Sequence, residues 1–136
     1  MKKIVIAGAG GAPSEGVINS LLKNKKSEII IGIGSEPTDL VLSSASKKYL
    51  VPYADNPDYF SVLTKILEIE KPDLIHFQND LEIYYASKYR NIIHSTGTKT
   101  FMPDHDVIDT CVHKYKSYLK IKEAGIKVSE NILINN

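Results

Sequence analysis

The chain has 136 residues, 43% of them hydrophobic and 24% charged, which is enough for one globular domain with a buried core. Its 17 Lys and Arg nearly balance 16 Asp and Glu, which argues against a surface built to neutralise nucleic-acid phosphates. A single cysteine, Cys111, excludes an internal disulfide, and no stretch approaches the roughly 18 apolar residues of a membrane span. A soluble, cytoplasmic protein with neither nucleic acid nor membrane as partner is expected.

Lys3 to Ala7 is a short β-branched run, and Gly8 to Gly16 a loop. From Ser14 onward, Val17, Ile18, Leu21 and Leu22 mark a helix. Glu28 to Ile33 is a second continuous apolar run, of the kind parallel strands show when buried on both faces. Asp39 to Lys48 reads as a helix, and Tyr49-Leu50-Val51 as a short strand stopped by Pro52. The pairs Lys25–Lys26 and Lys47–Lys48 read as solvated helix ends. Asp58 is placed to cap a helix whose apolar stripe is Tyr59, Val62, Leu63, Ile66 and Leu67, with Pro72 ending it. Asp73 to Phe77 is a fourth strand, and a helix from Asp80 to about Arg90 leads to a loop holding Ser95, Thr96 and Gly97. Lys99 to Met102 is a fifth short strand. A short helix follows from Asp104 or Asp106 to about Cys111, then another from about His113 to Ala124, with Gly125 as its C′ residue and Ile126 behind it. Lys127 to Ile134 closes the chain as an extended, strand-like segment.

Strands alternating with helices at this spacing predict an α/β fold: an open parallel sheet of four to five strands, helices on both faces, Rossmann-like. The last segment has no following partner. Residues 127–136 are therefore expected to be mobile or to pair with a neighbouring chain, which would make a homodimer.

Two groups of residues stand where such sheets bind ligands. Gly8, Gly10, Gly11, Pro13, Ser14 and Glu15 belong to a turn that follows a strand and opens a helix, where backbone N–H groups approach a ligand. A dinucleotide fingerprint would need glycine at Pro13 and an acidic residue at Gly34 or Ser35, where Glu36 comes late. No Gly-Lys-Ser/Thr follows, so the turn is not a P-loop either. A tight turn without ligand is the plain alternative. Gln78, Asn79, Asp80 and Glu82 follow the fourth strand at its carboxyl edge and suit contact with a substrate amine or carboxylate. Alternatively Asp80 caps the helix while Glu82 complements its dipole. His76, His94, His105 and His113 share no metal-ligand spacing, so no metal site is expected. Tyr84 with Lys88, and Tyr118 with Lys122, resemble the tyrosine–lysine pair of short-chain dehydrogenases but read as helix-face pairs.

In chain order, five segments matter: Ile6-Ala7-Gly8-Ala9-Gly10-Gly11, Ile30-Ile31-Gly32-Ile33, Tyr49-Leu50-Val51-Pro52, Lys71 to Ile75 with Asn79-Asp80-Leu81-Glu82, and Lys114 with Glu123 to Val128. Together they resemble the N-terminal, pre-ATP-grasp domain of ATP-grasp ligases, carbamoyl-phosphate-synthase-large-chain-like. The chain departs from that pattern at Gly34 and Ser35, and at His113, where the family carries Asp. The resemblance implies a pre-ATP-grasp domain over residues 1–112 and the truncated start of the ATP-grasp region over 113–136. It implies ATP and Mg in the full-length enzyme and none for this fragment, with Lys114 contacting nucleotide phosphates. The implied partners are the missing C-terminal ATP-grasp domains, a small-molecule carboxylate, and an amine or ammonia. The implied reaction runs through an acyl phosphate, and the chain alone, which carries no catalytic residue, would be inactive. Alternatives are an NAD(P)-dependent epimerase or dehydrogenase fragment and a stand-alone small-molecule-binding domain.

Overall fold

Ile4 and Ile6 point to one side of the first strand, Val5 and Ala7 to the other, and all four are buried. A strand with two apolar faces needs cover on both. The computed structural model, which describes residues 2–23 and 28–134, supplies it with β1 (Lys3–Ala7), α1 (Ala12–Lys23), β2 (Ile29–Gly34), α2 (Pro37–Leu42), β3 (Lys47–Leu50), α3 (Tyr59–Glu70), β4 (Leu74–His76), α4 (Asp80–Lys88), α5 (Arg90–Ser95) and β5 (Lys99–Thr100). These belong to one compact unit, Met1–Met102. A second, Pro103–Asn136, holds α6 (His105–Val112) and α7 (Lys114–Glu123). Among the described residues, no helix is long and apolar enough to cross a membrane.

The five strands form one parallel sheet in the order β3-β2-β1-β4-β5. On one face Ile18 of α1 and Leu40 of α2 pack on Ile4, Ile6 and Ile30. On the other, Tyr59, Leu63, Ile66 and Leu67 of α3, Ala86 of α4 and Ile93 of α5 cover Val5, Ala7, Ile31, Ile33 and Ile75. Each such side chain removed from water contributes about 1.5–3 kcal/mol. The sheet is thus α/β, Rossmann-like and covered on both faces, as expected. Glu70, buried at the end of α3, accepts hydrogen bonds from Lys47 and Tyr49 of β3 and lies 3.6 Å from Lys3 of β1. It fastens the helix to the strands' amino ends.

Several local expectations are corrected. Asp39 to Lys48 is not one helix, because α2 ends at Leu42 and β3 begins at Lys47. Lys47 and Lys48 therefore open an edge strand: Lys47 pairs with Glu70, and Lys48 donates to the Val41 carbonyl at 2.9 Å. Lys25–Lys26 lie outside the described residues. Asp58 makes no side-chain cap; the turn before α3 is organised by Asn56, whose side chain accepts the Asp58 N–H at 2.9 Å and whose carbonyl accepts the Tyr59 N–H at 3.0 Å. The helix from Asp80 breaks at Tyr89, and α5 forms where a loop was expected. The fifth strand is only Lys99–Thr100. Residues 127–134 form no strand; Val128 and Asn131 lie beside Tyr118 of α7. Gly125 does terminate α7, with its N–H on the Lys122 carbonyl at 3.0 Å and the Ile126 N–H on the Ile121 carbonyl at 3.2 Å, the paired bonds of a Schellman end.

Gly10 sets how closely α2 approaches the sheet's carboxyl edge. Its φ is +94°, and a Cβ there would lie 1.9 Å from the Asp39 carbonyl oxygen. Gly97 has φ +85° but open space around the same position. Gly97→Ala is expected to carry only left-handed strain, about 1–2 kcal/mol. Gly10→Ala adds a backbone collision and should destabilise more. Urea unfolding of the two variants measures the difference, and equal losses would contradict the packing described.

Candidate functional site

The strand order reverses direction between β1 and β4, so the connections leaving their carboxyl ends part and leave a crevice, the usual ligand position in an open α/β sheet. A cleft of about 250 Å³ occupies it. Gly8, Gly11, Pro13 and Ser14 line it from the β1–α1 turn, Gln78 and Asn79 from the β4–α4 connection. Gly34, Ser35, Glu36 and Asp39 line it from the β2–α2 connection.

The glycine turn is held by its own hydrogen bonds. The Ala9 N–H extends the β1–β2 pairing to the Ile33 carbonyl at 2.9 Å, and the Gly11 N–H closes the turn onto the Gly8 carbonyl at 3.1 Å. The Gly10 N–H donates to one oxygen of Glu15 at 3.1 Å, and the other oxygen accepts the Ser44 N–H at 2.9 Å. The carboxylate therefore ties the glycine turn to the segment between α2 and β3. Partial burial pushes the Glu15 carboxyl up, but hydrogen bonds from Ser43, Ser44 and Gly10 outweigh it and hold the group below its ordinary value. Ser14 donates its hydroxyl to the Ala7 carbonyl at 2.8 Å, beneath the turn.

The opposite wall rests on Asn79. Its side-chain oxygen accepts the Glu82 N–H at 2.7 Å, and its amide donates to the Glu82 carboxylate at 2.7 Å. Asn79, not Asp80, is therefore the N-cap of α4. Glu82 is only 6% exposed, and the Tyr59 hydroxyl donates to its other oxygen at 3.3 Å. Burial pushes the Glu82 carboxyl up to about 7, against the opposing pull of the Tyr59 hydrogen bond. Burial likewise drives the Tyr59 hydroxyl upward, so it stays a donor.

Of the residues singled out in the sequence, the fold brings Gly8, Gly11, Pro13, Ser14, Gln78 and Asn79 to one cleft. Gly10 and Glu15 brace one wall, and Glu82 lies buried beside Gly8, 3.7 Å from where a Gly8 Cβ would stand. Asp80 is exposed on α4, and Lys114 is exposed at the start of α7 in the second unit. Glu36 and Asp39 were not among the sequence candidates, although Pro37 at the first position of a helix was a local signal for where the β2 connection turns. Lys88 sits over the Tyr84 ring at 4.2 Å, and Lys122 meets the Tyr118 hydroxyl at 3.2 Å, both as helix-face pairs.

No family model and no curated protein matches the chain. Solved structures do. The biotin carboxylase domain of a single-chain bacterial carboxylase is similar at a TM-score of 0.64 and 15% identity, over 94% of this chain and 30% of that one. An L-amino acid ligase from Bacillus licheniformis is similar at 0.65 and 11% identity, over 93% of this chain and 31% of that one. A 4-hydroxyisoleucine dehydrogenase complexed with NADH is similar at a lower TM-score of 0.52 and 14% identity, over 94% of this chain and 71% of that one. The chain thus shares its fold with part of these carboxylase and ligase structures, and it spans about a third of their length.

The raised Glu82 carboxyl has a defined signature. A carboxyl whose folded value lies above its unfolded one stabilises the fold when protonated, and that contribution is lost as pH rises through the folded value. Between the ordinary 4.5 and about 7, stability should fall with pH, at up to about 1.4 kcal/mol per unit from this group. Glu82→Gln should flatten that slope. Chemical denaturation at pH 5 and pH 7.5 reads it; identical pH dependence in both proteins would contradict the assignment.

Proposed function

We propose that the chain is the N-terminal, substrate-side domain of an ATP-dependent carboxylate–amine or carboxylate–ammonia ligase, carbamoyl-phosphate-synthase-like. The observation that carries this reading is the likeness to ATP-grasp enzymes over nearly the whole chain, which nevertheless spans about a third of their length. In the full-length enzyme, ATP would phosphorylate a carboxylate and the amine would attack the acyl phosphate. The switch-point cleft would hold a substrate, Lys114 would reach nucleotide phosphates, and domains outside this chain would hold ATP and Mg. The setting is cytoplasmic.

The chemistry of the cleft favours a division of labour. Phosphoryl transfer is accelerated by positioned cationic groups and metal around the phosphates. Among the described residues that line the cleft there is no Lys, Arg or His. The chain alone should therefore hold a substrate without turning it over. The nicotinamide reading is less well supported, since Pro13 stands at the third-glycine position and the turn's amides bond within the protein.

Two assays check this proposal. The chain alone should release no ADP from Mg-ATP in the presence of ammonium and a panel of carboxylates. Its thermal midpoint should not move with millimolar NAD or NADP. A dinucleotide at 100 times its Kd would add about 2.7 kcal/mol and raise the midpoint by several degrees. Such a shift would replace the ligase reading with the dehydrogenase one, and ADP release by the chain alone would overturn its inactivity.

A further inference from the structure

We infer that the amino ends of the strands carry a second small-molecule site, one that takes a zwitterion of the α-amino-acid type with its ammonium on Glu28. A cavity of about 430 Å³ opens there, at the end of the sheet opposite the switch-point cleft and wholly within the Met1–Met102 unit. The pairings Ile4↔Leu74 and Leu74↔Lys99 set these three side chains in a row on one face of the sheet. Lys2 and Glu28 come two residues before the paired Ile4 and Ile30, and Phe101 comes two after Lys99, so they extend the same face. Lys2, Ile4, Glu28, Leu74, Lys99 and Phe101 all line the cavity. Helices α1 and α2 cover this face over Ile4, Ile6 and Ile30, whereas α3, α4 and α5 pack on the other one. Leu74 is therefore left half-buried, and Phe101 is 82% exposed.

The observation that points to a ligand is the Glu28 carboxylate. Its Oε2 is shut off from solvent and, among the described residues, accepts no hydrogen bond. Lys2 stands beside Glu28 on the neighbouring strand, one residue before the Lys3↔Ile29 pair, and still that oxygen has no partner. Buried polar atoms are nearly always satisfied, so an orphaned one on a residue that lines a cavity marks where an entering donor gains most. The terminal torsion of a glutamate is broad, and a small rotation presents the oxygen to a group in the cavity. An ammonium gains a charge-assisted hydrogen bond there. The rest of the lining says what else the molecule carries. Lys2 and Lys99 are exposed and offer two ammonium groups to a carboxylate. They would repel a simple amine, and Glu28 would repel a simple acid; a zwitterion satisfies both. Asp73, the other acidic residue in the lining, is already engaged, its Oδ2 accepting the Lys3 N–H at 2.8 Å. Ile4, Leu74 and Phe101 supply an apolar surface for an aliphatic side chain, and the volume falls within the roughly 300–1,000 Å³ of small-molecule pockets.

The test is a backbone-amide NMR titration of the chain with L-leucine, alongside isocaproate, which lacks the ammonium, and isoamylamine, which lacks the carboxylate. L-Leucine should give saturable shifts centred on Glu28 to Ile30, Leu74 and Lys99 to Phe101, while Gly8 to Gly11 stay unmoved. Glu28→Gln should weaken binding by roughly tenfold or more, through loss of the charge-assisted hydrogen bond. The double variant Lys2→Gln, Lys99→Gln, which changes only exposed side chains and should keep the unfolding midpoint, should weaken it in the same direction. Both analogues should bind roughly tenfold or more weakly than L-leucine. No saturable shift, shifts centred on the switch-point cleft, unchanged binding by either variant, or equal binding of either analogue would each overturn the inference. Those outcomes leave the ligase reading standing, because that reading fails by a different result, stabilisation by NAD or NADP.

Discussion

The cleft depends on one carboxylate. Glu15 sits in the first turn of α1 and accepts the Gly10 N–H with one oxygen and the Ser44 N–H with the other. Those donors belong to two connections far apart in sequence, one leaving β1 and the other joining α2 to β3. By bridging them, the side chain fixes the glycine turn against the segment that follows α2. Gly10 completes the fit by allowing the Asp39 backbone to approach where any Cβ would collide. A depressed carboxyl follows from the same geometry, since several donors converge on one charged group.

The opposite wall uses the reverse electrostatics. Glu82 is buried under Gly8 with neutral donors only, Asn79 and Tyr59, and burial raises its carboxyl rather than lowering it. Asn79 caps α4 and braces Glu82 with the two ends of one amide. Two of the cleft's walls are thus each braced by a carboxylate that faces inward, Glu15 and Glu82, while Glu36 and Asp39 line the third.

Much of this was legible in the chain. The continuous apolar runs Ile4–Ala7 and Ile29–Ile33 announced central parallel strands, and the glycine turn and Gln78–Asn79 marked the edge where they open. The resemblance to ATP-grasp N-terminal domains pointed to the same fold that the structural likenesses show. What stayed hidden was set by tertiary contact. A strand was expected at Tyr49 to Val51, but its first residues, Lys47 and Lys48, read as a helix end, because β3 is an edge strand whose start is polar and exposed. The cap of α4 fell one residue before the expected Asp80, a choice between neighbouring Asn and Asp that depends on where the backbone turns. Glu15 looked like a ligand contact because its binding partners, Gly10 and Ser44, are brought together only by the fold. Glu36 was noted only as coming late for a dinucleotide ribose, and Asp39 only as the start of a longer helix, because the short α2 that brings both to the cleft was not foreseen.

The central claim is that Glu15 couples the glycine turn that lines the cleft to the segment between α2 and β3. Native-state hydrogen exchange at the Gly10 and Ser44 amides, in the parent chain and in Glu15→Ala, tests it directly. The expected result is that both amides lose protection together, by roughly tenfold or more, while the β1 and β2 ladder amides stay protected. If the two amides respond independently, or neither changes, the carboxylate does not hold the walls and the account of the cleft is wrong.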